Sequence, residues 1–376
     1  MRGIRVGSIL GLEIRIDYSW FIIFFLILWT LTFGVFPARV PGLSTGTYAA
    51  MGIIGTLLFF ASLLAHEISH SLVARARGVP VEGITLFVFG GMAHTRMEAE
   101  SPGDEFAIAG VGPLASIIIA GLFGGIAATT GLIGAGQPVA AVAGYLAFIN
   151  LAIAVFNLLP GFPLDGGRLF RAAVWRWKHD LRLATRWATA GGKALGYGLI
   201  VLGFVQFFAG NLVGGLWLVF IGWFVRTAAE ASFAQHVLRS SLEGLRARDV
   251  MADQPETVPA DMSLHEFVDQ WVLRGRHRGY PVMRNGEPVG IVHLDSVKDV
   301  PREQWDSRKV ADVMAAIDPT SVVAPEESMT QVLGRVGQVD GKRVLVMQDG
   351  ALRGIITRAD LARWIERARL LEGSHR

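Results

Sequence analysis

His66-Glu67-Ile68-Ser69-His70 sets two imidazoles and a carboxylate in an H-E-x-x-H pattern. On a helix, positions four apart differ by about 40° in azimuth, so both rings can face one metal ion. Glu67 then stands beside the water that such a metal activates, which is the donor set of a hydrolase. The setting is costly. From Tyr48 to Ala65 no residue is charged, and ionisable side chains in so apolar a helix are read first as functional. The plainer alternative is a pair of buried histidines hydrogen-bonded to neighbouring helices. Two histidines leave a catalytic zinc short of the third protein ligand it needs besides an open fourth position. The chain has no cysteine, so that ligand must be His, Asp or Glu. The candidate is Asp165, in Asn157-Leu158-Leu159-Pro160-Gly161-Phe162-Pro163-Leu164-Asp165-Gly166-Gly167-Arg168. Its prolines end a helix, and its glycines let backbone approach closely. Taken alone, such an aspartate is either a ligand or a solvated helix cap.

The elements that must hold these residues follow from composition. Of 376 residues, 18% are charged and 52% hydrophobic; a soluble domain carries about a quarter charged, so this is a membrane protein. Charged residues become frequent only from Arg239 onward, dividing the chain into a membrane part and a soluble part. Six apolar runs approach the ~20 residues that a spanning helix needs. They lie near Tyr18 to Phe36, Tyr48 to Leu72, Phe106 to Leu132, Val139 to Leu159, Ala194 to Ala209 and Leu212 to Val225. Asp17 interrupts the start and no small-residue cleavage site follows, so the first run reads as a span and not a signal peptide. Basic residues collect on one side: Arg2, Arg5 and Arg15; Arg75, Arg77 and Arg96; Arg168 to Arg186; Arg226 and Arg239. The positive-inside rule then predicts a multi-pass cell-membrane protein with both termini and the soluble part in the cytoplasm. It sets the His66 motif near the cytoplasmic end of the second span. With a net charge of only +3 and its basic residues at membrane ends, the chain is not expected to bind nucleic acid.

Between the second and third spans, Val79 to Phe89 is rich in β-branched and aromatic residues and ends at Gly90-Gly91, which predicts a strand and a turn. An unpaired strand edge beside a metal site offers an extended peptide a register of main-chain hydrogen bonds. A hairpin that only plugs the helices is the alternative.

The H-E-x-x-H at 66 to 70 and N-x-x-P-x-x-P-L-D-G-G at 157 to 167, both within a polytopic membrane part, resemble the site-2 protease family of intramembrane zinc metalloproteases. The resemblance covers roughly residues 1 to 240. It implies one Zn²⁺ per chain held by His66, His70 and Asp165, with Glu67 moving the proton of peptide hydrolysis. It also implies that Asn157 holds the substrate backbone or the tetrahedral intermediate, and that the substrate is a transmembrane segment of another protein. Gly90-Gly91-Met92-Ala93 is similar to a family loop and Ala109-Gly110-Val111-Gly112-Pro113-Leu114 to a family helix start. His94 is left between an additional polar group at the site and an unliganded surface histidine. A substrate helix hides its carbonyls, so it must unwind locally and water must reach the site; Gly and Pro of 160 to 167 are the expected pivots.

After a helical connector from Ala228 to Leu245, the chain repeats itself. Asp249-Val250-Met251 recurs as Asp312-Val313-Met314, and Gly290-Ile291-Val292 as Gly354-Ile355-Ile356. Each unit has a helix pattern, Leu264 to Leu273 or Met329 to Val336, before two strands joined at Asn285-Gly286 or Asp349-Gly350. These features resemble a tandem cystathionine-β-synthase (CBS) pair over 246–370, with repeats at about 246–305 and 309–370. Such pairs are regulatory modules that bind adenine nucleotides, and some dimerise. The resemblance assigns Thr357 and Asp360 to the nucleotide's phosphate and ribose; in the first repeat Ser296 stands where that Asp belongs. The expected fold is thus a polytopic α-helical membrane domain over 1–240 followed by a soluble α/β CBS pair. A CBS-regulated transporter or channel is the competing function, and it predicts polar residues spread along several spans. Here they gather around His66, Glu67, His70, Asn157 and Asp165.

Overall fold

Two units divide the computed structural model, Met1–His236 and Val237–Arg376. The structure describes residues 3–88, 90–95, 99–132, 136–272, 277–336, 343–357 and 359–364. Among the described residues, six helices that begin in the first unit are long and apolar enough to cross a bilayer. They are α1 (Ser19–Arg39, with a π-helical turn at Leu31–Val35), α2 (Thr45–Ala76), α3 (Pro102–Leu132), α4 (Gln137–Asn157), α6 (Leu181–Phe208) and α7 (Leu212–Leu242). A shorter helix, α5 (Asp165–Lys178), lies between α4 and α6. It is strongly amphipathic, carries Asp165 as its first residue, and was not foreseen from the sequence.

Helix ends follow local chemistry. Ser44 caps α2 by accepting from Thr47 N (3.2 Å), and Asp180 caps α6 by accepting from Leu183 N (2.9 Å). The last two spans run beyond their apolar runs: α6 begins at Leu181, and α7 continues through most of the expected connector as one helix. Helical hydrogen bonds do not stop where hydrophobicity does, so the apolar run marks the membrane portion and not the helix.

Val81–Phe87 (β3) is the expected strand, but Gly90–Thr95 (β4) pairs with it as a hairpin between α2 and α3, and β3 is paired on both edges, so the free edge belongs to β4. They belong to a larger sheet ordered β1-β2-β3-β4, in which β1 is Gly3–Ile9 and β2 is Leu12–Asp17. β2 and β3 are parallel, with Glu13 opposite Gly83. The sheet packs through Leu12, Ile14, Ile84 and Leu86 onto Ala74 of α2 and Ile108 of α3. β4 is an edge strand, and its Gly91 lies so close to α2 that a Cβ there would stand 2.7 Å from Glu67 Cδ.

The segment from 158 to 167 is wedged between neighbours. A Cβ on Gly161 would come within 2.6 Å of Gly192 Cα, and one on Gly167 within 2.5 Å of Phe162 N. Phe162 N donates to Ala188 O of α6 (3.1 Å). The segment expected to pivot is a packed joint in this structure, and its glycines serve close approach.

In the second unit each repeat forms a four-stranded sheet that borrows its last strand from the other repeat. β6 (Val258–Pro259), β7 (Gly279–Arg284) and β8 (Glu287–His293) take in β9 (Ala315–Ala316), while β10 (Val322–Val323), β11 (Arg343–Gln348) and β12 (Ala351–Thr357) take in β5 (Ala252–Asp253). This exchange explains the recurring motifs. A Cβ on Gly290 would stand 2.6 Å from Met314 Sδ, and one on Gly354 2.8 Å from Met251 Cγ, so each V-M methionine lies on the glycine of the other repeat's G-I-V or G-I-I. Both hairpin turns carry positive φ on both residues, 53° and 84° at Asn285-Gly286 and 53° and 79° at Asp349-Gly350, as a type I′ turn requires.

Candidate active site

The spacing of the pentad puts both imidazoles on the face of α2 that meets α3 and α5. His66 is 3% and His70 8% exposed. Asp165 Oδ2 lies 3.2 Å from His66 Nε2 and 3.1 Å from His70 Nε2, and the two Nε2 atoms are 3.2 Å apart. The three ligand atoms lie within 4.8 Å of one another.

The far side of each ring decides what the near side can be. His70 Nδ1 faces Ile108 O at 2.6 Å, and a carbonyl only accepts, so Nδ1 carries the hydrogen. In the neutral ring Nε2 is then a lone pair turned toward a carboxylate oxygen. His66 Nδ1 lies 2.9 Å from Ser116 Oγ, which can accept the same way and leave His66 Nε2 as a second lone pair. Lone pairs converging on a carboxylate call for a cation among them, and two imidazoles with one carboxylate are a zinc donor set. Burial opposes the charge on Asp165, and the imidazoles beside it outweigh that, holding its carboxyl well below the usual carboxylate range.

α3 supplies the supports; Gly112 and Pro113 lie in the segment Ala109 to Leu114 that resembles a family helix start, whereas Ile108 and Ser116 were not identified from the sequence. Pro113 interrupts its hydrogen-bond ladder, and Ile108 O lies in the turn before it. Gly112 forms the floor: a Cβ there would stand 2.5 Å from His70 Cε1 and 2.7 Å from His66 Nε2. Ser116 is 1% exposed. A further link ties α3 to α5, where buried Arg171 donates through Nε to buried Glu105 Oε1 (2.7 Å) and Arg168 Nε lies 3.9 Å from the same oxygen. The guanidinium of Arg171 also sits 5.1 Å from the centre of the Phe162 ring.

Glu67 follows His66 on α2 and is half-buried, and its carboxylate accepts no hydrogen bond among the described residues. Asn157 is the last residue of α4, half-buried, and makes no hydrogen bond with the three ligand candidates. His94 pairs through its backbone with Gly83 in the β3–β4 ladder; its side chain lies outside the described residues. In the second unit, Asp360 is 7% exposed. Its Oδ2 accepts from Thr357 N (2.8 Å) and Thr357 Oγ1 (2.6 Å), and its Oδ1 accepts from Arg363. The counterpart of Thr357 in the first repeat, His293, accepts at Nδ1 from Arg343 (2.8 Å).

Comparison with known proteins follows the same division. The model for peptidase family M50 matches residues 54–135 and 125–199, and the CBS domain model matches residues 247–303. Rip3 of Mycobacterium tuberculosis, named as a zinc metalloprotease, is 38% identical over 371 residues, spanning 98% of this chain and 94% of Rip3. Zinc metalloprotease MJ0392 of Methanocaldococcus jannaschii is 29% identical over 360 residues, 96% of this chain and 95% of that protein. The solved site-2 protease from Methanocaldococcus jannaschii aligns at a TM-score of 0.43 and 28% identity, covering 61% of this chain and 94% of that one.

Proposed function

The chain belongs to peptidase family M50, and from that premise we propose that one zinc ion is held by His66, His70 and Asp165 while Glu67 moves the proton of peptide hydrolysis. The protein is a multi-pass, zinc-dependent intramembrane protease with a CBS domain, which sets aside the transporter reading. The observation that carries the ligand assignment is the convergence of His66 Nε2, His70 Nε2 and Asp165 Oδ2 within 4.8 Å, with both rings anchored from behind. Zinc, when bound, supplies Lewis acidity that acidifies water and polarises a carbonyl. Glu67 accepts the proton of the attacking water at a carboxylate oxygen and delivers it to the departing amine nitrogen. Its carboxylate is without a hydrogen-bond partner among the described residues and so is ready to take that proton. Asn157, whose side-chain amide is uncommitted among the described residues, holds the substrate carbonyl or the oxyanion that replaces it.

The substrate is a transmembrane segment of a membrane protein, unwound over the residues to be cut. The outer edge of β4, whose Gly91 packs against Glu67, gives that stretch main-chain partners. Basic flanks of the spans set both termini and the CBS pair on the cytoplasmic side. There the pair modulates the protease through an adenine nucleotide at the second repeat, with Thr357 and Asp360 its residues, and it offers a surface for homodimerisation. The first repeat has His293 already engaged by Arg343 and Ser296 in place of the carboxylate, so one nucleotide per pair is expected.

Glu67→Gln tests the central assignment. Purified variant retains about one zinc per chain by elemental analysis and loses cleavage of a reconstituted single-span substrate, because an amide does not accept the proton. Normal cleavage by Glu67→Gln would remove Glu67 from the reaction, and loss of zinc would move it among the ligands.

A further inference from the structure

Two groups of basic residues stand out in the membrane unit. Those turned toward the protein are neutralised: Arg171 by Glu105, and Lys193 and Arg226 by Glu230 at 3.3 and 3.4 Å. The second group gathers where α5 ends and α6 begins. Arg176, Trp177 and Lys178 close α5, while Arg182, Arg186 and Trp187 lie in the first two turns of α6. All six are exposed, Trp177 to 67%. Arg176, Lys178 and Arg186 have no carboxylate partner among the described residues, and Lys178 Nζ lies over the Trp177 ring at 3.8 Å. His179, at φ 55°, turns the chain between the two helices. Arg182 and Arg186, four apart, share one face of α6.

α4 ends at Asn157 and α6 enters its apolar run at Ala194, about 12 Å along the helix from Arg186, so this corner lies on the side of the bilayer where α4 ends, within reach of its headgroup layer. Indole rings are favoured at that depth, and unneutralised cations there attract anionic headgroups, each adding about fivefold to binding. We propose that the corner formed by Arg176, Trp177, Lys178, Arg182, Arg186 and Trp187 docks the headgroups of anionic phospholipids. Charge complementarity selects this occupant: among the described residues Arg176, Lys178 and Arg186 lack protein counter-charges, while every inward-facing neighbour named above has one. The site also bears on the protease. α5 is about 20 Å long, with Asp165 at one end and the basic corner at the other, so a bound headgroup fixes the far end of the helix that presents Asp165.

Native mass spectrometry of the full-length protein in detergent, titrated in parallel with phosphatidylglycerol and phosphatidylcholine, tests the proposal. Wild type is expected to retain phosphatidylglycerol in preference to phosphatidylcholine. Arg176→Gln, Lys178→Gln and Arg186→Gln combined should lower that preference at least tenfold, whereas Arg176→Lys with Arg186→Lys, which keeps the charge, should leave it within about twofold. Undiminished preference in the triple Gln variant, or an equal loss in the Lys variant, overturns the proposal. Equal lipid retention by all three proteins, with wild type dimeric and the Gln variant monomeric, overturns it in favour of a second copy of this chain as the occupant.

Discussion

Gly112→Ala is the smallest change that should empty the metal site without disturbing the fold. The added methyl would stand 2.7 Å from His66 Nε2 and closer still to His70 Nε2. Ordinary contact begins at 3.4 Å, so His66 Nε2 would have to withdraw by about 0.7 Å and His70 by more. Neither ring is free to do so, since Ser116 holds His66 Nδ1 at 2.9 Å and Ile108 O holds His70 Nδ1 at 2.6 Å. Zinc sites tolerate deviations of roughly 0.2 Å in ligand distance, several times less than the displacement required. Loss of an outer partner alone typically costs 10–100-fold in metal affinity, so displacing two ligands should cost at least about a hundredfold. The helix itself gains, because alanine is favoured over glycine in a helix interior by about 1 kcal/mol. The assay pairs zinc content and competition with a chelator against thermal unfolding in detergent. Gly110→Ala, two residues earlier, is the control: its Cβ would meet only Leu169 Cδ2 at 3.7 Å, and zinc and cleavage should be normal. One zinc per chain and wild-type cleavage in Gly112→Ala would refute the reasoning, since the close approach of α3 to the rings would then be of no consequence.

Asp165→Ala removes a proposed ligand and should lower zinc content along with activity, with helicity by circular dichroism unchanged; full zinc occupancy would assign the third position elsewhere. Breaking the buried Glu105–Arg171 pair with Arg171→Met strands Glu105 and should destabilise the membrane unit by ~3–5 kcal/mol, at the low end because Arg168 lies 3.9 Å away. Adding Glu105→Gln should recover most of that loss in denaturant titrations, and no recovery would mean that Arg171 acts through packing. In the CBS pair, burial and then the charge of Arg343 push His293 below the ordinary histidine range. Its neutral form is therefore favoured on folding, so stability is full above the unfolded value of about 6.5 and falls as pH drops through the lower folded value. Unfolding of the full-length protein followed between pH 7.5 and 5.5 should show this fall, and His293→Gln should flatten it.

The chain's local patterns determine much of this protein. Apolar runs of spanning length, the four-residue spacing of His66 and His70, and the doubled V-M and G-I-V signatures are short-range features, and helix and strand geometry convert each directly into structure. One local inference still went astray. The apolar runs of α6 and α7 understated helices that continue past the bilayer. Only tertiary structure decided what surrounds the metal site. Asp165 reaches the imidazoles across 95 residues of chain because α5, unseen in the sequence, begins there and is tied to α3 through Arg171 and Glu105. The partner of His70 is the carbonyl of Ile108, which any residue could supply. Gly112 matters through a side chain that it lacks. A backbone acceptor has no signature of residue type, and a glycine in sequence does not tell which neighbour needs its space, so both become legible only once α2, α3 and α5 are packed together.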